Sequence, residues 1–213
     1  MHDNERVTDM STSNVPSQGI TAPVMIVAGG AVSLDAQGLD RARVLLKNGL
    51  SDFHGTVISG GTAVGIPGCV GAIAAELGEQ KKFKLAGYAP RSRPSDAPRD
   101  FRYDQFIEVG QDKFSAAQVL RYWADILAAG IEPRSVHLVG IGGGHVSAIE
   151  YRIALALGAA VGLVQGTGGS ADELLDDAQW SGLSNIHPLP GDARKIQEFV
   201  MTEVPQDPCV AGT

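Results

Sequence analysis

The chain has 213 residues, a formal net charge of −7 and a hydrophobic content of 44%, which is enough material for one α/β core. The net negative charge repels nucleic acid but leaves room for a local small-anion site, so we expect no nucleic-acid partner. No apolar run reaches the roughly 18 residues of a membrane span, and residues 1–20 lack the pattern of a signal peptide. We therefore expect a cytoplasmic protein without membrane contact, with a single domain at residues 21–204 and tails at residues 1–20 and 205–213.

Strand and helix patterns alternate along the chain. Short apolar runs, most of them ending in glycine, predict strands at Pro23–Gly30, Gly55–Gly61, Lys82–Pro90, Ser135–Gly144 and Ala160–Gly169. Two weaker segments are Gln105–Gly110, a fourth strand or an extended edge segment, and a short segment around Ile186–Leu189. Helical patterns predict helices at Leu34–Leu50, Pro67–Gly78, Phe114–Gly130, His145–Ala159, Ser170–Ala178 and Asp192–Val200. The alternation predicts the α/β class, with a doubly wound, mostly parallel sheet and helices on both faces.

Four strand ends carry glycine and lead into predicted helices. The four turns contain Gly29 and Gly30, then Gly60 and Gly61, then Gly142, Gly143 and Gly144, and last Gly166, Thr167, Gly168 and Gly169. The carboxyl ends of parallel strands share one edge of the sheet, where ligands bind. A helix N-terminus presents free N–H groups and glycine lets backbone approach an anion closely, so we expect a phosphate-bearing ligand. The alternative is that glycine is simply common in strand-to-helix turns.

The second turn lies in the stretch that is richest in glycine. Ser59, Thr62 and Gly65 flank its glycine pair, and we include all three among the expected ligand-binding residues. Gly68 and Gly71 fall within the following helix, where each costs up to about 1 kcal/mol relative to alanine. We expect this helix to press closely against a neighbouring strand or a partner. Substitution in the turn should then damage binding, and substitution in the helix should damage folding.

Two common nucleotide-binding motifs do not fit the sequence. No turn ends in Gly-Lys-Ser/Thr, so the chain is not a P-loop ATPase. GIGGGHVSAIE places Gly140 and Gly142 as a dinucleotide fingerprint would, but His145 replaces the third glycine. Since no acidic residue follows at the position that would hold a ribose, the sequence disfavours an ordinary dehydrogenase.

Two of these stretches resemble signatures of the SLOG superfamily. ISGGTAVGIPGCVGAIA looks like the Gly-Gly-x-x-x-Gly-x-x-Gly element after the second strand, and GTGGSADELL looks like the second signature. In LOG phosphoribohydrolases that signature is Pro-Gly-Gly-x-Gly-Thr-x-Glu-Glu, and Gln165 and Thr167 depart from its proline and second glycine. In the branch of melastatin-type TRP channels it is nearer to Gly-x-Gly-x-Ala-Asp. The matching places here hold Gly166, Gly169, Ser170, Asp172 and Glu173.

The overall order, over roughly Pro23 to Val200, resembles the prokaryotic relatives of the channel module, called LSDAT proteins. The resemblance implies a Rossmann-like fold that binds a nucleotide-derived ligand, such as ADP-ribose, an NAD-derived molecule or a cyclic nucleotide. It implies a sensor in bacterial signalling or antiphage defence, with no required cofactor, that forms a dimer or higher homo-oligomer. Two alternatives stay open. One is a LOG-like phosphoribohydrolase that cleaves the N-glycosidic bond of a nucleoside monophosphate, and the other is a molybdenum-cofactor-type carrier.

Glu173 is the candidate catalytic residue of the hydrolase alternative. A carboxylate at this place, or that of Asp172, could polarise a ribose hydroxyl or stabilise an oxocarbenium-like state. The competing interpretation is a capping box, in which the Ser170 side chain caps the helix and Glu173 reaches back. His145 could donate to an anion from its helix start, or it could be an ordinary helix-initial polar residue.

The irregular loop Tyr88–Arg102 is rich in proline and arginine, which is typical of a lid or a partner surface. Arg91 and Arg93 in this loop either grip a phosphate or are exposed solubilising residues.

Weaker candidates for the site lie elsewhere. Ser147 and Glu150 follow the third turn, and Glu150 faces the ligand or the solvent. Base stacking would use the aromatic residues Tyr88, Phe101 or Tyr103. The histidines have no metal-ligand spacing, so we expect no metal site.

Overall fold

The structure, a computed structural model, describes residues 19–30, 34–92, 95–110 and 113–202. Arg93, residues 1–18 and the whole predicted C-terminal tail lie outside these ranges. The strands of the described chain are β1 (Val24–Gly29), β2 (Gly55–Ser59), β3 (Phe83–Ala89), β4 (Gln105–Glu108), β5 (Val136–Ile141), β6 (Ala160–Val164) and β7 (Ile186–Leu189). Its α-helices are α1 (Ala36–Asp52), α2 (Gly65–Leu77), α3 (Ala116–Ala128), α4 (His145–Leu157), α5 (Gly169–Asp176) and α6 (Ala193–Met201). None of the described helices is long and apolar enough to cross a membrane.

The strands form one sheet in the order β4-β3-β2-β1-β5-β6-β7, and every neighbouring pair is parallel. This confirms the predicted α/β class and the Rossmann-like, doubly wound sheet. The segment at Gln105 is a true strand and lies at the edge, where it pairs with β3. Helix α2 begins at Gly65 rather than at Pro67, so Gly65 belongs to the helix and not to the turn before it.

The two faces of the sheet are covered by different helices because strand side chains alternate in direction. On β1, Val24 and Ile26 join a buried cluster with side chains of α3, α4 and α5. Met25 and Val27 point the other way and join a cluster with side chains of α1, α2 and α6. The strands therefore carry almost continuous apolar runs, as expected for a parallel sheet that is buried on both faces.

The order of the strands reverses at β1. From β1 the chain moves outward through β2, β3 and β4, and then returns to β5 on the other side of β1. The crevice at the carboxyl ends of β1 and β5 is therefore a topological switch point, the usual place for a ligand in an open α/β sheet.

The end of the long loop is anchored to the second turn and to α2. The Asp100 carboxylate is 3% exposed and accepts hydrogen bonds from Nε and a terminal nitrogen of Arg102, both at 2.7 Å. Arg102 also donates to the carbonyl of Gly68 at 3.2 Å, and the Asp100 N–H donates to the carbonyl of Gly61 at 3.0 Å. A Cβ added at Gly71 would overlap the Asp100 carboxylate. Gly71 therefore makes room for this loop, and Gly68 makes room for the backbone of Ala63 in the turn before α2. Neither glycine packs on the neighbouring strand or partner that we expected.

We expect Gly71→Ala to destabilise the fold by about 2–3 kcal/mol, because the added methyl group displaces a buried, ion-paired carboxylate. Urea unfolding measures the change. Gly182→Ala is the matched control, since a Cβ at that exposed position meets nothing within 4 Å. Equal stability of the two variants would contradict the anchoring role of Asp100.

Candidate functional site

A cleft of about 290 Å³ opens at the switch point, between the carboxyl ends of β1, β2 and β3 and the facing parts of α3 and α4. Seven of the expected binding residues line it: Gly29, Gly30, Ser59, Gly60, Thr62, Gly144 and His145. Ser147 and Glu150, the weaker candidates, also line it. The first three turns are thus brought together as predicted, and the fourth turn is not part of this cleft.

The N-terminus of α4 opens into the cleft. Its N-cap residue is Gly144, and no side chain caps it. The first intrahelical hydrogen bond runs from Ala148 N to the Gly144 carbonyl at 2.9 Å. The backbone N–H groups of His145, Val146 and Ser147 precede that bond, and these residues line the cleft. Free N–H groups and the positive end of the helix dipole form an anion-binding site.

No Lys or Arg of the described residues lines the cleft. Arg91 is exposed, and its Nε lies 3.8 Å from the Glu108 carboxylate. Arg93 falls outside the described residues. Among the described residues, attraction for an anion in this cleft therefore comes from backbone N–H groups and from the His145 ring.

The aromatic wall of the cleft was missed by the sequence reasoning, apart from Tyr88. The rings of Tyr88 and Tyr122 lie 5.8 Å apart in an edge-to-face arrangement. The Tyr88 hydroxyl donates to Asp125 at 2.9 Å, and Asp125 is 1% exposed and also accepts from Arg121 at 2.9 Å. Gln118, Tyr122 and Asp125 recur at helical spacing on the buried side of α3. These polar residues on the buried side of α3 are the sequence signal from which the wall of the cleft could have been predicted.

Glu150 lies on the cleft side of α4 and not on the solvated face. The Tyr122 hydroxyl donates to its Oε1 atom at 2.9 Å. Burial raises the pKa of Glu150 to about 7, because the charged form loses hydration, and the Tyr122 hydrogen bond lowers the pKa in part. The carboxyl group is therefore poised between its neutral and charged forms near neutral pH.

The fourth turn braces the third turn instead of facing the cleft. The Gly142 N–H donates to the Thr167 hydroxyl at 2.9 Å, and that hydroxyl donates to the Val164 carbonyl at 2.7 Å. The Ser170 hydroxyl donates to the carbonyl of Gly144 at 2.9 Å. The backbone N–H of Ser170 also donates to the third turn, at 3.0 Å. The hydroxyl and the N–H of Ser170, at the N-terminus of α5, therefore bind backbone carbonyl groups of the third turn.

The capping-box interpretation of the fourth turn is wrong. Helix α5 begins at Gly169, and the Ser170 side chain does not cap it. Asp172 instead accepts from the N–H groups of Gly166 and Gly168, at 2.9 and 2.7 Å. Glu173 is exposed and does not line the cleft.

The remaining expected residues lie away from the cleft. Gly61 has φ +70°, and a Cβ there would lie 2.6 Å from the Phe106 ring, so this glycine permits packing. Gly143 is likewise buried, against Ser147. Gly166 and Thr167 line a separate cavity of about 200 Å³ next to α1. Phe101 is 86% exposed and Tyr103 packs in the core, so neither contributes a stacking surface to the cleft.

The sequence model described as "SLOG in TRPM, prokaryote" matches residues 22–200. The chain belongs to this family. The expected resemblance to the SLOG superfamily and its prokaryotic LSDAT branch is thereby confirmed. No curated protein sequence matches the chain.

Several solved structures share the SLOG fold of this chain. The molybdenum cofactor carrier protein of Chlamydomonas reinhardtii is 20% identical with a TM-score of 0.58, over 84% of this chain and 99% of its own. The molybdenum cofactor binding protein of the phototrophic bacterium Rippkaea orientalis is 17% identical with a TM-score of 0.59, over 84% of this chain and 94% of its own. At these identities the likeness establishes the fold alone.

We expect Thr167→Val to destabilise the protein by about 1–2 kcal/mol, because it removes the hydroxyl that joins the third and fourth turns and leaves the Gly142 N–H without its partner. Thr167→Ser keeps the hydroxyl and is the matched control. Thermal unfolding of both variants measures the difference. If the valine variant were as stable as the serine variant, the hydroxyl bridge would not hold the turns together.

Proposed function

We propose that this protein binds a phosphate-bearing, nucleotide-derived small molecule in the cleft, as a sensor module. The observation that carries the proposal is the uncapped N-terminus of α4, which opens into a cavity at the switch point of the sheet. The phosphate lies against the N–H groups of His145, Val146 and Ser147. The ring lies deeper, near Tyr88 and Tyr122, where the walls are mainly apolar. ADP-ribose, NAD-derived molecules and cyclic nucleotides are the ligand class that the family resemblance implies.

The volume of the cleft limits the size of the ligand that it can hold. Small-molecule pockets commonly span about 300–1,000 Å³, and this cleft, at about 290 Å³, is at the small end. A mononucleotide-sized group fits such a volume better than a whole dinucleotide. A larger ligand would leave one of its two nucleotide halves outside the cleft.

The geometry favours binding over hydrolysis of a glycosidic bond. The hydrolase alternative places Glu173 beside the sugar, but this side chain is exposed and outside the cleft. Asp172 already accepts two backbone N–H groups of its own turn. Release of free base from AMP, lost in Glu173→Gln, would reverse this preference.

A molybdenum cofactor is the second candidate ligand. It is favoured by the two structures named as a carrier and a binding protein of that cofactor. The cofactor is a phosphorylated pterin, so the cleft would hold it as it holds a nucleotide, with phosphate at α4 and ring at the tyrosines. Among the described residues no three His, Cys, Asp or Glu side chains cluster as a metal site. The chain would therefore hold the organic part and its phosphate.

Mass spectrometry of the small molecule that accompanies the purified protein separates these ligands directly. Calorimetry with ADP-ribose, NAD, cyclic dinucleotides, AMP and GMP covers the nucleotide class, and pterin absorbance reveals the cofactor. If the folded protein carried no small molecule and bound none of the panel, the proposal would fail.

Gly144→Asp is the sharpest variant for the phosphate position. We expect it to keep or raise stability, since aspartate is a favoured N-cap residue and a Cβ at Gly144 meets nothing within 4 Å. We also expect it to weaken binding at least about tenfold, because a carboxylate then competes with the phosphate for the same N–H groups. Calorimetry measures the affinity and thermal unfolding the stability. Gly182→Asp, the same charge change at an exposed and uncrowded position, should leave affinity unchanged.

A further inference from the structure

The cleft contains one carboxyl group with an unused oxygen. Glu150 accepts the Tyr122 hydroxyl on Oε1, and its Oε2 atom has no hydrogen-bond partner among the described residues. The carboxyl group faces a cavity whose walls are mainly apolar, so the neighbouring described side chains donate no hydrogen bond to Oε2. Glu150 is half-buried at the wall of the cleft, so this oxygen can accept a hydrogen bond from a ligand that brings a donor.

The position of Glu150 along α4 matches the ring of a bound nucleotide. Glu150 lies six residues after Gly144, which at the rise of an α-helix is roughly 9 Å along the axis. That distance is comparable with the length of a mononucleotide from its phosphate to the far edge of its ring. A phosphate at the N-terminus of α4 therefore places the edge of the ring near Glu150 and the Tyr122 hydroxyl.

We propose that Glu150 selects the ring, by accepting the two adjacent N–H groups of a 2-amino-4-oxo pyrimidine edge. Guanine and pterin share this edge, with a ring N–H beside an exocyclic amino group, and a carboxylate can accept both at once. Adenine instead presents a ring nitrogen lone pair beside its amino group, which repels a carboxylate oxygen. This inference rests on the proposed function and narrows its ligand class to guanine nucleotides or phosphorylated pterins.

The preference for this ring edge depends on the protonation state of Glu150. Only the carboxylate accepts two N–H groups, and the pKa of Glu150 is raised to about 7 by burial. The Tyr122 hydroxyl contacts Glu150, and Tyr151 interacts with it electrostatically. The His145 ring and Tyr88 line the same cleft. Burial raises the pKa of both Tyr122 and Tyr151, so both stay neutral. The preference for guanine over adenine should therefore grow from about pH 6 to about pH 8.

Calorimetry on the whole chain with GMP, IMP, AMP and neopterin monophosphate tests the proposal. We expect GMP or neopterin monophosphate to bind about 10- to 100-fold more tightly than AMP, and IMP, which lacks the 2-amino group, to fall between GMP and AMP. GMP and neopterin monophosphate distinguish the two sources of the shared edge. The ratio of GMP to AMP affinity should rise with pH, and taking this ratio cancels the ionisation of the phosphate that both carry.

Glu150→Gln should abolish the preference while AMP binds at least as tightly as before. The amide oxygen still accepts from Tyr122, whereas the amide NH₂ group opposes the ring N–H of guanine and can donate to the ring lone pair of adenine. Thermal unfolding checks that this variant is folded. The exposed Glu173→Gln should leave both the preference and its pH dependence intact.

AMP binding as tightly as GMP and neopterin monophosphate in the wild type would overturn the role of Glu150 and leave the proposed function standing. Failure of all four probes to bind would overturn the role of Glu150, and failure of ADP-ribose, NAD and the cyclic dinucleotides as well would overturn the proposed function.

Discussion

The hydrogen bonds between the third and fourth turns are the constraint on which the cleft depends. A run of three glycines has no side chains to fix its shape, and Gly142 and Gly143 have φ values of +56° and +94°, so the conformation must be imposed from outside. The Thr167 hydroxyl and the N-terminal residues of α5 impose it by binding the N–H and carbonyl groups of that turn. With the turn fixed, α4 starts at the switch point and directs its first N–H groups into the cavity. The second turn is held in a similar way by the Asp100 N–H of the long loop, and Arg102 joins Asp100 to the Gly68 carbonyl in α2.

Most of the fold could be predicted from the sequence, because strands and helices are set by short-range patterns. Buried parallel strands show as apolar runs and helices as periodic ones, and their alternation implies the doubly wound sheet. The site could be predicted only in part. The pattern placed four glycine-rich turns on one edge, but not which way each faces. Gly60 lines the cleft, whereas its neighbour Gly61 packs on Phe106, and Gly142 meets Thr167 across 25 positions of sequence. Such long-range contacts decide the role of each glycine.

The proposed binding site contains few charged side chains. The proposed anion site is made of backbone N–H groups, so it leaves no arginine or lysine signature in the sequence. The roles of Arg91 and Arg93 stay predictions. Buried polar groups complete the other end: Asp125 fixes Tyr88, and Glu150 binds Tyr122. These carboxyl groups lie on the inner sides of α3 and α4, and for Glu150 the sequence left open whether the side chain faces the ligand or the solvent. The homo-oligomer implied by the family also stays a prediction.

The backbone amide spectrum of the isotopically labelled protein, recorded during titration with GMP and AMP, tests the central claim most directly. If the phosphate is bound by the N-terminus of α4, the amide protons of His145, Val146 and Ser147 will shift downfield, because each gains or strengthens a hydrogen bond to an anion. The amides of Gly166 and Gly168 will change little, since Asp172 already holds them. Downfield shifts confined to the fourth turn, with the amides of α4 unchanged, would contradict the account.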